Sequence, residues 1–429
     1  GAGRGLDFEA IETAVRRRAL EVAVRAVARR LNADVSDHAG PTFPCPCGKV
    51  ARYAGRRPKT FTTALGEMTL LRAYYHCDGC TAGFCPRDRA LGVEATSLSP
   101  AVTRMVGLSA AMLSFQESAE LIDALAAVPV DAKQVERTAE DLGHEIALDE
   151  RNVVEPQPPS APTMYLGLDG TGVPMRASEL VGRHGKQPDG SSKTREAKLV
   201  TVWTAEGRDR EGTPVRDPGS VTYSAAIESA ATRDTDGTLS DFAQRVDREA
   251  CRRGFDQARR RVVLGDGAPW IWKLADEQFP GAIQVVDLFH AKGHLWDVAK
   301  AVYGAGSDLG EQWAKKRRDE LDEGKIYAVL AALRVHAQHH DEARKCLDYI
   351  TRNQNRMRYP HFRQQGICTS TGVVEAGCKT VIGTRLKRPG MHWTVPGADA
   401  ITALRCCKLN SRFEDFWERR SAAAAGAGR

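Results

Sequence analysis

The sequence lacks any apolar run of the roughly 18 residues that a membrane-spanning helix needs. Its first residues also lack the charged head, apolar stretch and cleavage site of a signal peptide, so we expect neither membrane insertion nor secretion. Cysteine is scarce for a disulfide scaffold, at 11 residues in 429. An odd, small number of cysteines favours reduced thiols and a cytoplasmic location.

The length allows about two to four domains, and the charge is distributed unevenly among them. The net charge is +6, but residues 45–90 carry 8 basic and 3 acidic side chains, 91–160 carry 4 and 12, and 351–420 carry 13 and 5. Clustered cations neutralise phosphates, so two basic blocks predict a polyanion that is contacted at two places. Two solvated charged faces are the alternative interpretation.

Composition and periodicity predict an α/β protein with several segments. The clearest boundary is a proline-rich linker, after which helical patterns give way to strand patterns. In chain order we expect an N-terminal helix (1–44), a cysteine module (45–90), a helical, helix-turn-helix-like region (91–155), the linker (156–162), the first part of a mixed-sheet domain (163–291), a helical insertion (292–350), the basic remainder of that domain (351–420) and a disordered tail (421–429).

The cysteine module contains two close cysteine pairs, Cys45 with Cys47 and Cys77 with Cys80. The residues between them predict one β-hairpin that turns near Gly66. Four thiolates at tetrahedral corners suit Zn²⁺, so the pattern predicts a structural zinc in a zinc-ribbon-like module. The C-x-C spacing is tight, which leaves His76 or Cys85 as a substitute ligand. Ordinary buried cysteines are the alternative.

The hairpin of this module also carries Arg56, Arg57 and Lys59 close to its turn. Cations on a small metal-stapled module are placed to contact a nucleic-acid backbone. We therefore expect these three side chains to bind DNA phosphates.

Two aspartates follow apolar strand patterns, Asp169 after Met164–Leu168 and Asp266 after Val262–Leu264. In open α/β sheets the carboxyl ends of strands form the ligand crevice, so the two carboxylates are expected to face the same space. An Asp-Gly pair is also a common turn, which is the alternative for each aspartate taken alone.

Glu375 lies one turn into a helix that Ser370 or Thr371 can cap, with Lys379 four residues later on the same face. Together with the two aspartates, this acid can hold two Mg²⁺ ions roughly 4 Å apart. Such a pair of ions supports in-line displacement at a phosphodiester. The alternative role of Glu375 is an ion pair with Lys379.

Other motifs near these acids have supporting roles or none. Asp287 and His290, after a strand predicted at 282–286, are interpreted as auxiliary groups that support the metal site or orient phosphate, with core packing as the alternative. Lys379 is counted with them as a third auxiliary residue. His290 and His294 have the spacing of a zinc-protease helix, but the glutamate after the first histidine is absent, so we do not expect peptidase chemistry.

A basic run follows the predicted Glu375 helix and ends near Trp393. We expect its cations, Arg385, Lys387 and Arg388, to contact DNA phosphates beside the metal site.

Several of these motifs, taken together, closely resemble the transposases of the ISKra family of bacterial insertion sequences. The likeness extends from about residue 45 to residue 417. The matching runs are Gly55-Arg-Arg-Pro-Lys-Thr60, Arg72-Ala-Tyr-Tyr-His-Cys77, Asp169-Gly-Thr-Gly-Val-Pro174, Gly265-Asp-Gly-Ala-Pro-Trp-Ile-Trp272, Asp287-Leu-Phe-His-Ala291 and Gly372-Val-Val-Glu-Ala-Gly-Cys-Lys379.

The resemblance implies a DDE-type enzyme with a ribonuclease H-like catalytic domain, interrupted by a helical insertion, and an N-terminal DNA-binding region. Its acidic triad falls on Asp169, Asp266 and Glu375, with Mg²⁺ or Mn²⁺ as cofactor. Asp169 is expected to contact both ions, and the other two acids one each. The implied partners are double-stranded DNA, as element terminal repeats and target, and further copies of the chain in a homodimer or higher oligomer. The implied location is the bacterial cytoplasm, on the nucleoid.

Two other functions remain open from the residues alone. The first is a DNA-binding regulator that reads DNA with residues 115–147 and has no catalysis, although that stretch is acidic and repels phosphate. The second is a nuclease with the same fold that cleaves DNA without strand transfer.

Overall fold

The computed structural model describes residues 7–185, 187, 190–230 and 239–426. The chain forms two units, one from Gly1–Gly143 with Ser411–Arg429 and the other from His144–Asn410. The division therefore falls upstream of the expected boundary at 156–162. Residues 411–420, expected in the same domain as Glu375, belong instead to the first unit.

The first unit combines helices with a small antiparallel sheet. The sheet has the order β1-β2-β3-β4, and a turn with Gly66 at φ +118° connects its two long strands. The predicted hairpin is thus confirmed. The elements are α1 (Phe8–Ala33), β1 (Thr42–Pro44), β2 (Val50–Thr63), β3 (Gly66–His76), β4 (Gly83–Phe84), α2 (Pro86–Ala90), α3 (Pro100–Ala110), α4 (Phe115–Ala126) and α5 (Ala132–Asn152), which extends into the second unit.

Helix α1 covers one face of the hairpin formed by β2 and β3. Phe61, Met68 and Leu70 are buried on that face, and Val24 and Leu31 of α1 pack against them. This packing follows from the alternation of apolar and polar residues along the strands, which places one set of side chains on one face.

The region 91–155, which the sequence predicts to be helical, contains α3, α4 and α5, and these helices begin at clear caps. Ser99 caps α3, with Pro100 at its first position, and Ser114 forms a capping box with Glu117 at the start of α4. Asp131 accepts a hydrogen bond from the N–H of Gln134 at the start of α5. Side-chain acceptors at these positions satisfy N–H groups that the first helical turn leaves free.

The second unit is built on a five-stranded mixed sheet of order β11-β10-β5-β6-β9. β5 pairs parallel to β10, and β10 parallel to β11, whereas β6 pairs antiparallel to both β5 and β9. The strands and the helices between them are β5 (Thr163–Pro174), β6 (Thr194–Thr204), β7 (Gly207–Arg208), β8 (Pro214–Val215), β9 (Thr222–Ala226), α6 (Asp241–Arg252), β10 (Arg260–Gly265), α7 (Pro269–Gln278) and β11 (Ile283–Val286).

After β11, the regular elements of the described chain are helices joined by loops. Helices cover most of residues 292–350, where the sequence predicts a helical insertion. They are α8 (Leu288–Tyr303), α9 (Asp308–Asp322), α10 (Ile326–Ala337), α11 (Asp341–Asn353), α12 (Tyr359–Gln364), α13 (Gly372–Gly377), a π-helical turn (Cys378–Gly383), α14 (Thr384–Leu386), α15 (Val395–Leu409) and α16 (Phe413–Gly426).

Helix α16 extends into the tail that the sequence predicts to be disordered. That prediction is wrong for residues 421–426, because the alanine run continues the helix and alanine has the highest helix propensity. Residues 427–429 lie outside the described residues. No helix in the described part of the chain is long and apolar enough to cross a membrane.

The centre of the mixed sheet is fully enclosed. Met164–Leu168 and Val262–Leu264 are buried without alternation. Tyr165 stacks on Trp203 of the neighbouring strand, with ring centroids 5.4 Å apart. Continuous burial is typical of strands that are covered on both faces.

Side chains close the outer edge of the sheet at β9. The amide of Asn410 accepts from the N–H of Tyr223 and donates to its carbonyl, both at 2.8 Å, as a neighbouring strand would. The carboxyl of Asp399 accepts from the N–H of Ile227 at 2.7 Å. These bonds satisfy backbone groups of an edge strand that would otherwise be free to pair with another chain.

We expect the stability of the protein to depend on the ionisation of Asp399, because burial raises the pKa of this carboxyl to about 6. A raised pKa means that the fold favours the protonated form, so its contribution is complete below about pH 4 and is lost as the pH rises through 6. Asp399→Asn cannot ionise. It should gain stability over the wild type as the pH rises from 4 to 7.5, up to about 3 kcal/mol in urea unfolding.

The control is Asp348→Asn, which changes an exposed aspartate on α11. Its difference from the wild type should not vary with pH. A pH-independent difference for Asp399→Asn would contradict the assignment.

Candidate functional site

The four predicted zinc ligands lie together in the first unit as one cysteine cluster, Cys45, Cys47, Cys77 and Cys80. Their sulfur atoms all lie within 4.8 Å of one another. The Sγ atoms of Cys45 and Cys80 are 3.6 Å apart, and those of Cys47 and Cys77 are 3.7 Å apart. Zn–S bonds of about 2.3 Å in a tetrahedron place the sulfurs roughly 3.8 Å apart. The cluster can therefore hold a zinc ion.

The ends of the hairpin produce this geometry. Cys45 and Cys47 lie in the turn between β1 and β2, and the N–H of Cys45 donates to the carbonyl of Lys49 at 2.8 Å. Cys77 and Cys80 lie between β3 and β4. Because β2 and β3 are paired, the two turns meet at one end of the sheet. A hydrogen bond from the backbone N–H of Lys49 lowers the pKa of Cys47 to about 7, whereas the pKa of Cys45 is raised to about 12, because a backbone hydrogen bond is outweighed by burial and by hydrogen bonds with the other thiols. Of these two, Cys47 is thus the one that favours the thiolate that a metal needs.

The substitute ligands considered from the sequence do not belong to this cluster. Cys85 is the N-cap residue of α2, and the Nε2 of His76 lies 3.8 Å from the carboxylate of Asp78. The short C-x-C spacing therefore brings both of its cysteines into the cluster.

The three cations of the hairpin differ in their exposure to solvent and in their contacts. Arg56 is half-buried and engaged, since it donates to Asp37 at 3.0 Å and to the carbonyl of Leu71 at 2.7 Å. Arg57 is exposed and lies over the ring of Tyr74, at 3.6 Å from its centroid. Lys59 is half-buried beside a phenylalanine ring. Arg57 is thus the most accessible of the three predicted DNA contacts.

In the second unit, strand pairing brings two of the three predicted acids together. Gly265 at the end of β10 pairs with Leu168 of β5, so the residues that follow, Asp266 and Asp169, lie side by side. Neighbouring strands are about 4.8 Å apart. We call Asp169 and Asp266 the acidic pair.

Hydrogen bonds fix both carboxylates of the acidic pair. Asp169 accepts from the N–H of Gly170 at 2.7 Å and from the thiol of Cys378 at 3.2 Å, and Asp266 accepts from the N–H of Ala268 at 2.9 Å. Burial raises the pKa of Asp169; the two hydrogen bonds oppose that shift, and the charge of Asp266 adds to it. The carboxylates therefore interact, and a cation between them would relieve their repulsion.

Helix α13, which carries Glu375, packs on the same face of the sheet as Asp169. Val374 contacts Gly167, where a side chain would collide with it, and a side chain at Gly377 would meet Leu199 of β6 at 2.9 Å. Gly167 and Asp169 share a face because strand residues alternate. Glu375 itself is exposed and lies one turn before Cys378.

The carboxylate oxygens of Asp169, Asp266 and Glu375 do not all lie within 4.8 Å of one another. Within the described ranges, the cysteine cluster is the one group of three or more His, Cys, Asp or Glu residues whose ligand atoms all lie within 4.8 Å. The structure thus brings Asp169 and Asp266 together and places Glu375 on the helix that covers them.

The basic run beyond α13 is divided between surface and core. Lys387 donates from its Nζ to the hydroxyl of Thr171 on β5, two residues after Asp169, and Lys379 is exposed. Arg388 is half-buried. Arg385 is fully buried, with its guanidinium 5.3 Å from the centroid of the Trp393 ring. The prediction that Arg385 contacts DNA is therefore wrong, because a charge count does not reveal burial.

Two of the three predicted auxiliary residues, Asp287 and His290, lie at the start of α8. Asp287 directly follows β11, and its N–H donates to the carbonyl of Gly265 at 2.9 Å, which places it next to Asp266. It is only 1% exposed. His290 is exposed, with its ring 4.9 Å from that of His294.

Three residues near the acidic pair were missed from the sequence. One is Cys378, the thiol donor to Asp169. The other two are on α11, where the hydroxyl of Tyr349 donates to the carbonyl of Asp266 at 2.7 Å and the amide of Asn353 to that of Gly267 at 3.4 Å. The helical insertion therefore braces the turn that carries Asp266. Cys378 was visible inside the matching run at 372–379, whereas nothing in the sequence singled out Tyr349.

Comparison with known proteins places most of the chain in one family of sequences. The sequence model of the uncharacterised protein family UPF0236 matches residues 50–414. A relative from Streptococcus gallolyticus, described as the UPF0236 protein in the vanSb 3′ region, is 22% identical over 370 residues, which cover 83% of this chain and 74% of the relative.

A solved structure, the Drosophila P element transposase strand transfer complex, aligns with 78% of this chain and 84% of that chain, at 10% identity and a TM-score of 0.27. A score this low does not establish a shared fold.

We expect the purified protein to contain one zinc ion per chain, held by the cysteine cluster. Cys47→Ser and Cys80→Ser should each remove most of the bound zinc, because a hydroxyl is a poor substitute for a thiolate ligand. Elemental analysis by inductively coupled plasma mass spectrometry measures the zinc content directly.

Cys85→Ser is the matched control, since this cysteine lies in the same module but outside the cluster. It should retain zinc. Wild-type protein without zinc, or equal loss in all three variants, would contradict the proposed ligand set.

Proposed function

We propose that this chain, which belongs to the uncharacterised protein family UPF0236, is a DDE-type DNA transposase of the insertion-sequence kind. The observation that carries the proposal is the register that puts Asp169 beside Asp266, with the helix of Glu375 packed on the same face. Asp266 follows the carboxyl end of β10, where α/β sheets bind their ligands, and Asp169 lies beside it within β5.

The topology of the second unit supports a ribonuclease H-like catalytic domain. Three antiparallel strands, β5, β6 and β9, are followed along the chain by two that pair in parallel, β10 and β11. The first acid stands on the first strand of this sheet, and the second acid follows the fourth. Helices α8 to α11 then separate the second acid from the third, at the position expected of the insertion.

The acidic pair suits a hard divalent cation. Carboxylate oxygens are the preferred protein ligands of Mg²⁺, and the mutual repulsion within the pair favours a cation near it. Asp169, Asp266 and Glu375 would hold Mg²⁺ or Mn²⁺. When bound, these ions would stabilise the charge that develops at the phosphorus during in-line displacement.

The proposed reaction has two steps at the same residues. Hydrolysis of a phosphodiester at an element end frees a 3′-hydroxyl, and this hydroxyl then displaces a phosphodiester of the target DNA. The residues of the chain orient the acids: Cys378 and Gly170 fix the carboxylate of Asp169, and Tyr349 and Ala268 fix the turn of Asp266. Pairing two element ends requires at least two copies of the chain.

The charge distribution supports contact with DNA beside the acids. Of the 13 basic and 5 acidic residues in 351–420, residues 411–420 carry 3 of each and lie in the other unit. Residues 351–410 therefore carry 10 basic and 2 acidic side chains, so the whole excess of +8 belongs to the unit with the acidic pair. Lys387 donates to the hydroxyl of Thr171, two residues after Asp169, and Lys379 is exposed one turn after Glu375.

The cysteine module, with its excess of +5, is the proposed second DNA contact. Arg57 is its accessible cation and Lys59 its partly accessible one. A metal-stapled hairpin offers a rigid surface for phosphate contacts, which position DNA without reading its sequence.

The proposal predicts that Asp169→Asn and Glu375→Gln abolish DNA cleavage but keep DNA binding. Each change removes a negative charge that the metal requires, and neither removes a cation. The assay combines the protein with labelled element ends, a target plasmid and Mg²⁺. A mobility-shift measurement follows binding, and we expect cleavage to fall at least about 100-fold in each variant.

Glu323→Gln, at an exposed position between α9 and α10, is the matched control and should behave as wild type. Joined products from the wild type indicate a transposase, whereas nicks alone indicate a nuclease. Shifted but uncut DNA indicates a regulator, and cleavage that survives Asp169→Asn refutes the assigned acids.

A further inference from the structure

Asp287 connects the beginning of α8 with the beginning of α13, the helix that carries Glu375. It is the N-cap residue of α8 and accepts a hydrogen bond from the N–H of His290 on its Oδ1. Its Oδ2 accepts two more, one from the N–H of Thr371 and one from the Thr371 hydroxyl at 2.7 Å. Thr371 is the N-cap residue of α13, the helix of Glu375.

Its hydrogen bonds and burial make Asp287 a poor metal ligand. At 1% exposure, a carboxylate needs partners for its charge, and three donors already occupy its two oxygens. Thr371 is also buried. Asp287, which follows β11, thus differs from Asp266, which follows β10, and from Asp169, which lies within β5.

These contacts fix the beginning of α13. The N–H of Leu288 also donates to the carbonyl of Thr369 at 3.0 Å, so a backbone bond reinforces the same junction. The N–H of Glu375 in turn donates to the carbonyl of Thr371 at 2.9 Å. The first turn of α13, including Glu375, is therefore built directly on the residue that Asp287 holds.

We propose that Asp287 and Thr371 form a positioning clamp that sets Glu375 relative to the acidic pair. The inference rests on the proposed function, because it assigns Glu375 a role in holding the metal. The clamp holds α13 at its start, and the Cys378 thiol on Asp169 holds the following turn. Glu375 lies between these two attachments, so the clamp fixes the position of its backbone relative to Asp169.

Asp287→Asn tests the clamp with a minimal change of shape. An amide has one acceptor and one donor group, so it cannot accept from both Thr371 and His290, and one of these N–H groups must face an NH₂. Residues that orient metal ligands typically change metal affinity or activity by about 10- to 100-fold. We expect the Mg²⁺ concentration for half-maximal cleavage to rise by that factor, with DNA affinity unchanged.

Two comparisons separate positioning from general destabilisation. Asp297→Asn makes the same substitution at an exposed position of the same helix, and should leave the Mg²⁺ requirement unchanged. Thr371→Val removes the hydroxyl donor and should raise the Mg²⁺ requirement, whereas Thr371→Ser keeps the hydroxyl and should restore it. An unchanged Mg²⁺ requirement in Asp287→Asn, or equal effects of Thr371→Val and Thr371→Ser, would overturn the clamp.

Hydrogen exchange of the full-length protein gives a readout that needs no activity. Asp287→Asn should speed exchange of the amides of residues 371–378 more than those of the neighbouring β5, and Asp297→Asn should not. Uniform or absent acceleration would reject the clamp. If Asp287→Asn and Asp297→Asn change hydrogen exchange as expected but the wild type cleaves no DNA, the proposed function fails while the clamp stands.

Discussion

The parallel pairing of β10 with β5 is the constraint on which the candidate site depends. It fixes Gly265 opposite Leu168 and thereby places the next residue of each strand at the same level. A slip of one residue would turn the side chain of Asp266 to the opposite face, because strand side chains alternate. Continuous burial of both strands makes such a slip costly, since it would bring the following polar residues into the core. The hydrophobic core therefore determines where the acids stand.

Close packing then determines what can cover them. Gly167 and Gly377 meet Val374 and Leu199 with no room for a further carbon atom on either glycine, so α13 approaches the sheet more closely than ordinary side chains permit. The π-helical turn that begins at Cys378 follows directly. Such turns alter the helical repeat and occur often at functional sites. In this chain the turn starts at the thiol that contacts Asp169.

Features that depend on neighbouring residues in the chain could be predicted from the sequence. The strands that carry or precede Asp169 and Asp266, the hairpin between the cysteine pairs and the helices of 292–350 all follow from short-range periodicity, which a sequence displays directly. The predicted strand end at Asp169 is wrong, because β5 continues to Pro174 through its pairing with β6. The contacts made by Tyr349, Cys378 and Asn410 join residues that are far apart in the chain, and no local pattern encodes such distances. Arg385 shows the same limit for charge, because its burial against Trp393 depends on packing.

The division of the chain gives the molecule an order of assembly. Helix α16 completes the first unit, where Phe413 packs beside Gly107, yet it is translated after every residue of the second unit. The whole mixed sheet is therefore synthesised before α16, so the sheet can fold before the first unit acquires that helix, since domains generally fold as they emerge. The interrupted unit must keep the site for α16 open until α16 has been synthesised. The stability of the first unit thus depends on joining two segments that are separated in sequence by the whole second unit. The entropic cost of bringing the ends of a loop together rises only slowly with the length of the loop.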